Sequence, residues 1–254
     1  MFLKVVSCLL LLGVTAHATL FEGGYIGGQI SFTNRYDQTY IPEASISKDN
    51  TILHLSEIHN TKKNFYRTYG FVGGYGIRFL EKGYGGLEVN FNTHNHISDT
   101  IFNYKKCQLQ NQTPQGGGGS ASLIEGIASL KANYRRGGVY SLMGRLGIIL
   151  PYDTLIYTRL GLEYSRDKLI IYYQAKFRDE IIRDEIESTH NSWIWVPGVG
   201  IEKGIGIGKF IVRLEYNYSP GISLKHTSKE GEPKITQHMT YRFHMVKIGL
   251  MYNF

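Results

Sequence analysis

Along most of this chain the apolar residues keep to every second position, the spacing of a strand that shows different faces to two different media. In GGYIGGQISFTNR, Ile26, Ile30 and Phe32 share a face with Gly28, while Gln29, Ser31 and Thr33 take the other. Residues 67–79 repeat the rule, with Tyr69, Phe71, Tyr75, Ile77 and Phe79 opposite Thr68, Gly70, Gly74, Gly76 and Arg78. Residues 84–93 set Leu87, Val89 and Phe91 against Glu88, Asn90 and Asn92, and residues 138–150 set Tyr140, Leu142, Leu146 and Ile148 against Ser141, Arg145 and Gly147. The fifth strand, 154–166, alternates Ile156, Leu160, Leu162 and Tyr164 with Arg159, Gly161, Glu163 and Ser165. The sixth, 192–202, carries Trp193, Trp195, Val199 and Ile201 opposite Gly198, Gly200 and Glu202. Pro197 inside it argues against full ladder pairing there, because proline has no N–H to donate. In the seventh, 209–218, Phe210, Val212, Leu214, Tyr216 and Tyr218 oppose Arg213, Glu215 and Asn217. The last nine residues, VKIGLMYNF, place Val246, Ile248, Leu250, Tyr252 and Phe254 on one face and Lys247 on the other.

The connections between these eight strands alternate in length. Residues 35–66 collect Asp, Asn, Lys and Ser and read as a long polar loop. A second long excursion runs to about residue 137 and holds the run Gly116 to Ser120. The third, to about residue 191, contains RDEIIRDEIE, whose five-residue repeat fits neither helix nor strand and reads as a loop tip, although KLIIYYQAKF before it extends the fifth strand. The fourth covers about 219–240. Between them lie the short links Leu80 to Gly83, Pro151 to Asp153 and Lys203 to Gly208. A soluble sandwich has no reason to keep that order, whereas a membrane barrel keeps its turns short at one end and its loops long at the other, with an even strand number. The expectation is an all-β, eight-stranded antiparallel transmembrane up-and-down barrel with four long outer loops and three short periplasmic turns. A soluble ligand barrel would turn the apolar face inward. Here that face is continuous and aromatic-ended, and its opposite carries charge.

The amino terminus modifies this picture. Lys4, an apolar run from Val5 to Val14 and Ala16-His17-Ala18 form a charged start, a greasy centre and an A-x-A cleavage site, so residues 1–18 read as a signal peptide and 19–254 as a single barrel domain. That run is about half the roughly 20 apolar residues of a membrane-spanning helix. Of the 2 cysteines, Cys8 leaves with the leader and Cys107 has no partner, which excludes a disulfide framework. The formal charge of +7 is gathered into no dense basic run, which argues against nucleic acid as a partner. The 30 Gly and 19 Tyr, with 6 Pro, suit many strands and tight turns.

The polar faces taken together hold Arg78, Arg145, Arg159, Arg213 and Lys247 against Glu88, Glu163, Glu202 and Glu215. An eight-stranded bore is only wide enough for side chains, so the expectation is a packed ion-pair network in the interior. A gated pore lined by the same charges is the alternative. Tyr84, Tyr140, Tyr164, Trp193, Trp195, Tyr216, Tyr218 and Tyr252 lie near strand ends, where rings suit a membrane–water boundary, and read as an aromatic girdle. Catalysis at the rim would need a nucleophile, a base and an orienting group in reach of one another. His190, His226, His238 and His244 with Ser192, Ser219, Asp184 and Glu187 supply the residue types, but there is no strained Gly-x-Ser-x-Gly turn. His94-x-His96 lacks a third ligand and reads as solvated loop histidines, so neither a catalytic nor a metal site, and no cofactor, is expected.

GGYIGGQ, GRLGIILPYDTLIYTRLGLEYS, PGVGIEKGIG followed by FIVRLEYNYS, and the closing GLMYNF resemble the small OmpA/Opa-like outer-membrane β-barrel family, which includes surface antigens and opacity-type porins of Gram-negative bacteria. The resemblance covers the strands and none of the long loops. It implies a multi-pass protein of the outer membrane, in contact with outer-membrane lipid and inserted by the barrel assembly machinery. In that setting the face Val246, Ile248, Leu250, Tyr252 and Phe254 is the C-terminal assembly signal. The functional expectation is a non-enzymatic surface antigen, adhesin-like or envelope-structural barrel that meets a host or envelope ligand through its loops, with a small porin or channel of the same fold as the alternative.

Overall fold

The structure is a computed structural model, and it describes residues 20–48, 51–55, 57–94, 97–111, 125–177, 180–205, 209–227 and 234–254. The expected leader, Cys8, His96 and the Gly116 to Ser120 run lie outside the described residues. The strands are β1 (Gly23–Lys48), β2 (Thr51–Leu55), β3 (Ile58–Phe79), β4 (Gly83–Asn92), β5 (Ile97–Asn111), β6 (Glu125–Leu150), β7 (Thr154–Phe177), β8 (Glu180–Ile205), β9 (Phe210–Thr227) and β10 (Lys234–Asn253). Eight of them, β1, β3, β4, β6, β7, β8, β9 and β10, pair in that order as antiparallel neighbours, and β10 returns to β1 through the register Tyr25↔Asn253. The sheet therefore closes on itself and leaves no edge in the ring.

In the lower part of the ring the alternation is set by two media. Leu142, Leu146, Leu160, Trp195, Leu214 and Leu250 point outward and are exposed, whereas Ser141, Arg145, Arg159, Glu202, Arg213 and Lys247 point inward and are buried. The outward apolar run of β7 covers residues 156–164, about the length a tilted strand needs to cross hydrocarbon. Two of the short turns place non-glycine residues in the left-handed region, Leu80 and Glu81 in one and Tyr152 and Asp153 in the other. Two consecutive positive φ values give the primed turn whose twist matches the flanking strands. Side chains brace both turns, since Arg78 Nε donates to the carbonyl of Glu81 and Lys203 Nζ to that of Tyr152.

At the other end the strands run on, as expected for KLIIYYQAKF but correcting the rest of the expected long loops. Residues 36–48, 58–66, 125–137, 165–177, 180–191, 219–227 and 234–245 are strand. Phe177, just before the RDEIIRDEIE segment, pairs with Glu180, and the second RDEI lies in β8. Thirteen residues of β7 beyond the apolar run add about 40 Å of strand. Here the polarity inverts. Leu130, Leu169, Ile171, Tyr173, Ile186, Ile222, Met239, Tyr241 and Phe243 point inward and form one buried apolar cluster, while Lys168, Arg166 and Glu187 face out.

This upper part is no longer a closed ring. The β8–β9 ladder runs from Ile205↔Phe210 to Gly198↔Asn217 and stops at Pro197, while β8 stays paired to β7 through Leu160↔Pro197 and beyond. The missing N–H of Pro197 thus falls where the wall parts. On the opposite side β3 pairs with β4 only up to Gly70↔Asn92, and β5, which prolongs the line of β4 along β6, pairs with β2 through Thr51↔Asn111 to His54↔Gln108. Between those pairings no ladder joins β3 to β5. The barrel therefore opens into two facing sheets, β9-β10-β1-β3 and β5-β6-β7-β8, with the apolar cluster between them and β2 bridging one side at the top.

The inversion makes one residue type have opposite effects at the two levels. Ile171→Asp, a charge in the apolar layer, is expected to destabilise by about 3 kcal/mol or more and to open residues 165–191 to protease, whereas Leu160→Arg on the lipid face should cost about 2–4 kcal/mol without that cleavage. Urea unfolding of refolded protein, followed by heat-modifiable gel migration, together with limited proteolysis, measures both.

Candidate functional site

The bore of the ring is filled by ionic groups brought together from six strands. Glu88 on β4 is the hub: Arg213 Nη2 lies 2.7 Å from its Oε2, Arg159 Nη1 3.2 Å from Oε1 and Arg145 Nη1 3.6 Å from Oε2. Arg159 Nη1 also meets Glu215 Oε1 at 2.5 Å, and Glu202 Oε1 accepts from Arg145 Nη2 at 2.5 Å and Arg213 Nε at 2.7 Å. Lys247 Nζ is 3.9 Å from Glu215 Oε1. Tyrosines complete the shell. Tyr25 donates to Glu88 at 2.8 Å, Tyr157 donates to Glu215 at 2.9 Å, and the Arg145 guanidinium lies 3.9 Å from the centre of the Tyr157 ring. Gly74 and Gly200 make room for these rings, since a Cβ at either would meet Tyr25 or Tyr157.

A second ionic layer sits above the first, under the apolar cluster. Arg35 grips Asp37 through Nε at 2.6 Å and Nη2 at 2.6 Å, with its guanidinium over the rings of Tyr134 and Tyr241. Arg136 lies 3.6 Å from Glu163 and 3.9 Å from Asp167, over the ring of Phe243. Tyr134 donates to Asp167 at 2.9 Å, and burial pushes the phenols of Tyr134 and Tyr241 well above the usual tyrosine value. Among the described residues the buried charges balance: Arg35, Arg136, Arg145, Arg159, Arg213 and Lys247 against Asp37, Glu88, Glu163, Asp167, Glu202 and Glu215.

Of the nine charges read from the sequence, the structure gathers Glu88, Arg145, Arg159, Glu202, Arg213, Glu215 and Lys247 in the lower layer and puts Glu163 in the upper one. Arg78 is a correction. It has the inward parity but sits one residue before the end of β3, past the bore, and is exposed against its turn. Arg35, Asp37, Arg136 and Asp167 were missed because they fall in segments read as loops. For three of them parity was the available signal: Arg35 and Asp37 continue the odd-numbered face of Gln29, Ser31 and Thr33, and Asp167 continues that of Arg159 and Glu163, whereas Arg136 is out of step with Ser141 and Arg145 because the register shifts between Arg136 and Val139.

The outward rings form a belt. Tyr140, Trp193, Trp195 and Tyr216 are exposed and Tyr164 and Tyr218 partly so, and Tyr164 and Trp193 meet at 4.8 Å between centroids. Tyr252 sits at the turn end, 5.3 Å from Phe210. Tyr84 departs from the expected girdle. Its ring points inward, 1% exposed, and its hydroxyl accepts from Arg145 at 3.2 Å, because its even number places it with Glu88 on the bore face. On β10, Val246, Ile248, Leu250, Tyr252 and Phe254 all face outward, and Phe254 N bonds to the carbonyl of Gly24 at 3.0 Å.

The rim candidates for catalysis do not converge among the described residues. His190 contacts Ser188 at 3.3 Å, Ser192 and Ser219 are buried in the interior, Asp184 accepts from Tyr173 at 3.3 Å, and Glu187 pairs with Lys168 at 2.6 Å. His238 and His244 face outward beside Tyr40 and Tyr216, and buried His94 packs edge-on against Tyr66. No group of three His, Cys, Asp or Glu suited to a metal occurs among the described residues. The side chains of His226 and Cys107 lie outside them.

A closed ring with a lipid-facing apolar belt and a side-chain-filled bore defines a transmembrane β-barrel of the outer-membrane type. The chain belongs to the family described as outer membrane protein beta-barrel domain, which matches residues 5–254, and is a multi-pass protein of the outer membrane. No curated protein matches it. Among solved structures it is similar to Ail, the attachment invasion locus protein of Yersinia pestis, at 12% identity over 89% of this chain and 99% of that one, with a TM-score of 0.33. It is likewise similar to OprG of Pseudomonas aeruginosa, at 14% identity over 91% and 96% with a TM-score of 0.41, and to the outer membrane protease OmpT of Escherichia coli, at 9% over 91% and 97% with a TM-score of 0.45. At such distances these likenesses say nothing about what this chain does.

Removing one partner from the lower layer leaves buried charge uncompensated. Glu88→Gln, which removes the negative charge shared by three arginines, is expected to destabilise the barrel by about 3–5 kcal/mol, and a second change, Arg159→Gln, should recover part of it. Denaturant midpoints of the single and double variants, compared with wild type, test the coupling.

Proposed function

We propose that this is a non-enzymatic, non-conducting outer-membrane barrel that carries a rigid two-sheet platform beyond the outer leaflet for contact with a host or envelope surface. The observation that carries the reading is the upper layer: strands that continue past the lipid belt close over an apolar core of their own, bounded by Leu169, Ile171, Met239 and Tyr241. Loops needed merely to join strands would not require such a core. The balanced ionic layers beneath support a plug in place of a conduit, since a conducting path needs mobile water among its charges. The scattered hydroxyls, imidazoles and carboxylates of the rim support a role without bond cleavage. In this reading residues 1–18 direct export, and the outward face Val246, Ile248, Leu250, Tyr252 and Phe254 engages the barrel assembly machinery.

Purified refolded protein in planar bilayers is expected to give no unitary current steps; steady steps would establish the small-channel reading. An epitope inserted between Phe177 and Glu180, the outermost pair of the β7–β8 ladder, should be labelled on intact cells. Labelling only after permeabilisation would overturn the outward display of the platform.

A further inference from the structure

The outer face of the β9-β10-β1-β3 sheet carries cations at the level where its apolar belt ends. Across β3, β1 and β10 the register aligns Lys63, Tyr36 and Arg242 in one row and, two same-face steps nearer the belt, Arg67, Phe32 and Val246 in another. Lys63, Arg67 and Arg242 are all exposed. Two are held against the wall by rings, Lys63 Nζ at 5.2 Å from the centre of Tyr36 and Arg67 Cζ at 6.0 Å from that of Phe32, contacts that orient a cation without neutralising it. None of the three forms an ion pair among the described residues. The opposite sheet differs in its rings: Arg135 and Arg166 are exposed at the corresponding level but, among the described residues, no ring holds either, and Lys168 beside them is paired to Glu187 at 2.6 Å.

Three uncompensated cations at the edge of a lipid belt repel one another unless the surroundings supply anions. In an outer membrane the molecules at that depth are the phosphorylated sugar headgroups of the outer-leaflet glycolipid. We propose that Lys63, Arg67 and Arg242 form a binding site for the phosphates of that lipid. Lys63 and Arg242 flank Tyr36 and take one phosphate, while Arg67, about 13 Å away along the sheet, takes a second at the other end of the headgroup. Phe32 and Val246, in the row of Arg67, lie against the first acyl segments. The site would fix one lipid on this sheet and leave the β5-β6-β7-β8 face to exchange freely.

The test uses the refolded full-length barrel in nanodiscs, titrated with bis-phosphorylated lipid A and, separately, with the same lipid after enzymatic removal of both phosphates, with bound lipid counted by native mass spectrometry. The wild type is expected to retain the phosphorylated lipid and to lose it on dephosphorylation. The triple variant Lys63→Gln, Arg67→Gln, Arg242→Gln should weaken retention on the order of a hundredfold, at about a tenfold step or less per charge. The conservative Lys63→Arg with Arg67→Lys should keep it, and Arg135→Gln with Arg166→Gln on the other sheet should leave it unchanged. Heat-modifiable migration verifies that each variant is folded, and Arg242→Gln alone provides a milder change whose partial loss is also expected. Equal retention by the triple variant, equal binding of the dephosphorylated lipid, or displacement by millimolar inorganic phosphate would each overturn the proposal.

Discussion

Burying charge in a bore too narrow for bulk water is the constraint on which the rest of this molecule depends. A lone arginine there would cost several kcal/mol, so each must arrive with a carboxylate, from another strand in the lower layer and from β1 itself for Arg35. The interior meets this by matching six cations with six carboxylates, arranged so that Glu88 serves three arginines and Glu202 two. Because the partners of the lower layer come from β4, β6, β7, β8, β9 and β10, those pairs fix the rotational register of the ring as well as neutralising it. A slip of one residue in any stave would turn its charges into lipid and its leucines into the bore.

Above the lipid the same alternation solves a different problem. Outside is water, so the apolar side moves in, and a layer of Leu169, Ile171, Tyr241 and Phe243 replaces the ionic one. Two sheets facing across an apolar layer need no closed ring. The wall can therefore part at Pro197, where no N–H is available for the ladder, and the seam coincides with the change of filling. The cations Lys63, Arg67 and Arg242 mark the same transition on the outer surface.

The lipid-crossing part of the fold was legible because lipid outside and charge inside produce maximal contrast between successive residues, as in Ile156 to Tyr164 against Arg159 and Glu163. The upper part was legible only in KLIIYYQAKF, read as a continuation of its strand; there both faces hold apolar residues, with Leu169, Ile171 and Tyr173 inside and Ile170 and Tyr172 outside, so the contrast that shows which face is buried fades. Residues 35–66 failed for the opposite reason: Arg35 and Asp37 are polar yet buried, and composition alone reads polar as loop. Arg78 shows the limit of parity itself: it gives the side of the wall, but not whether the wall still encloses anything at that height. Tyr84 shows the reverse, because its parity with Glu88 puts it in the bore although its place near a strand end reads as girdle.

The ring closes through the pairing of β1 with β10, whose partners Tyr25 and Asn253 stand at opposite ends of the barrel sequence. Loop-closure entropy for that contact is the largest in the chain, so it sets a high contact order and a slow final step. Until it forms, β1 and β10 remain open edges able to capture a neighbouring chain. Maturation is thereby all-or-none: a half-zippered cylinder offers quality-control proteases a target that the finished one withholds.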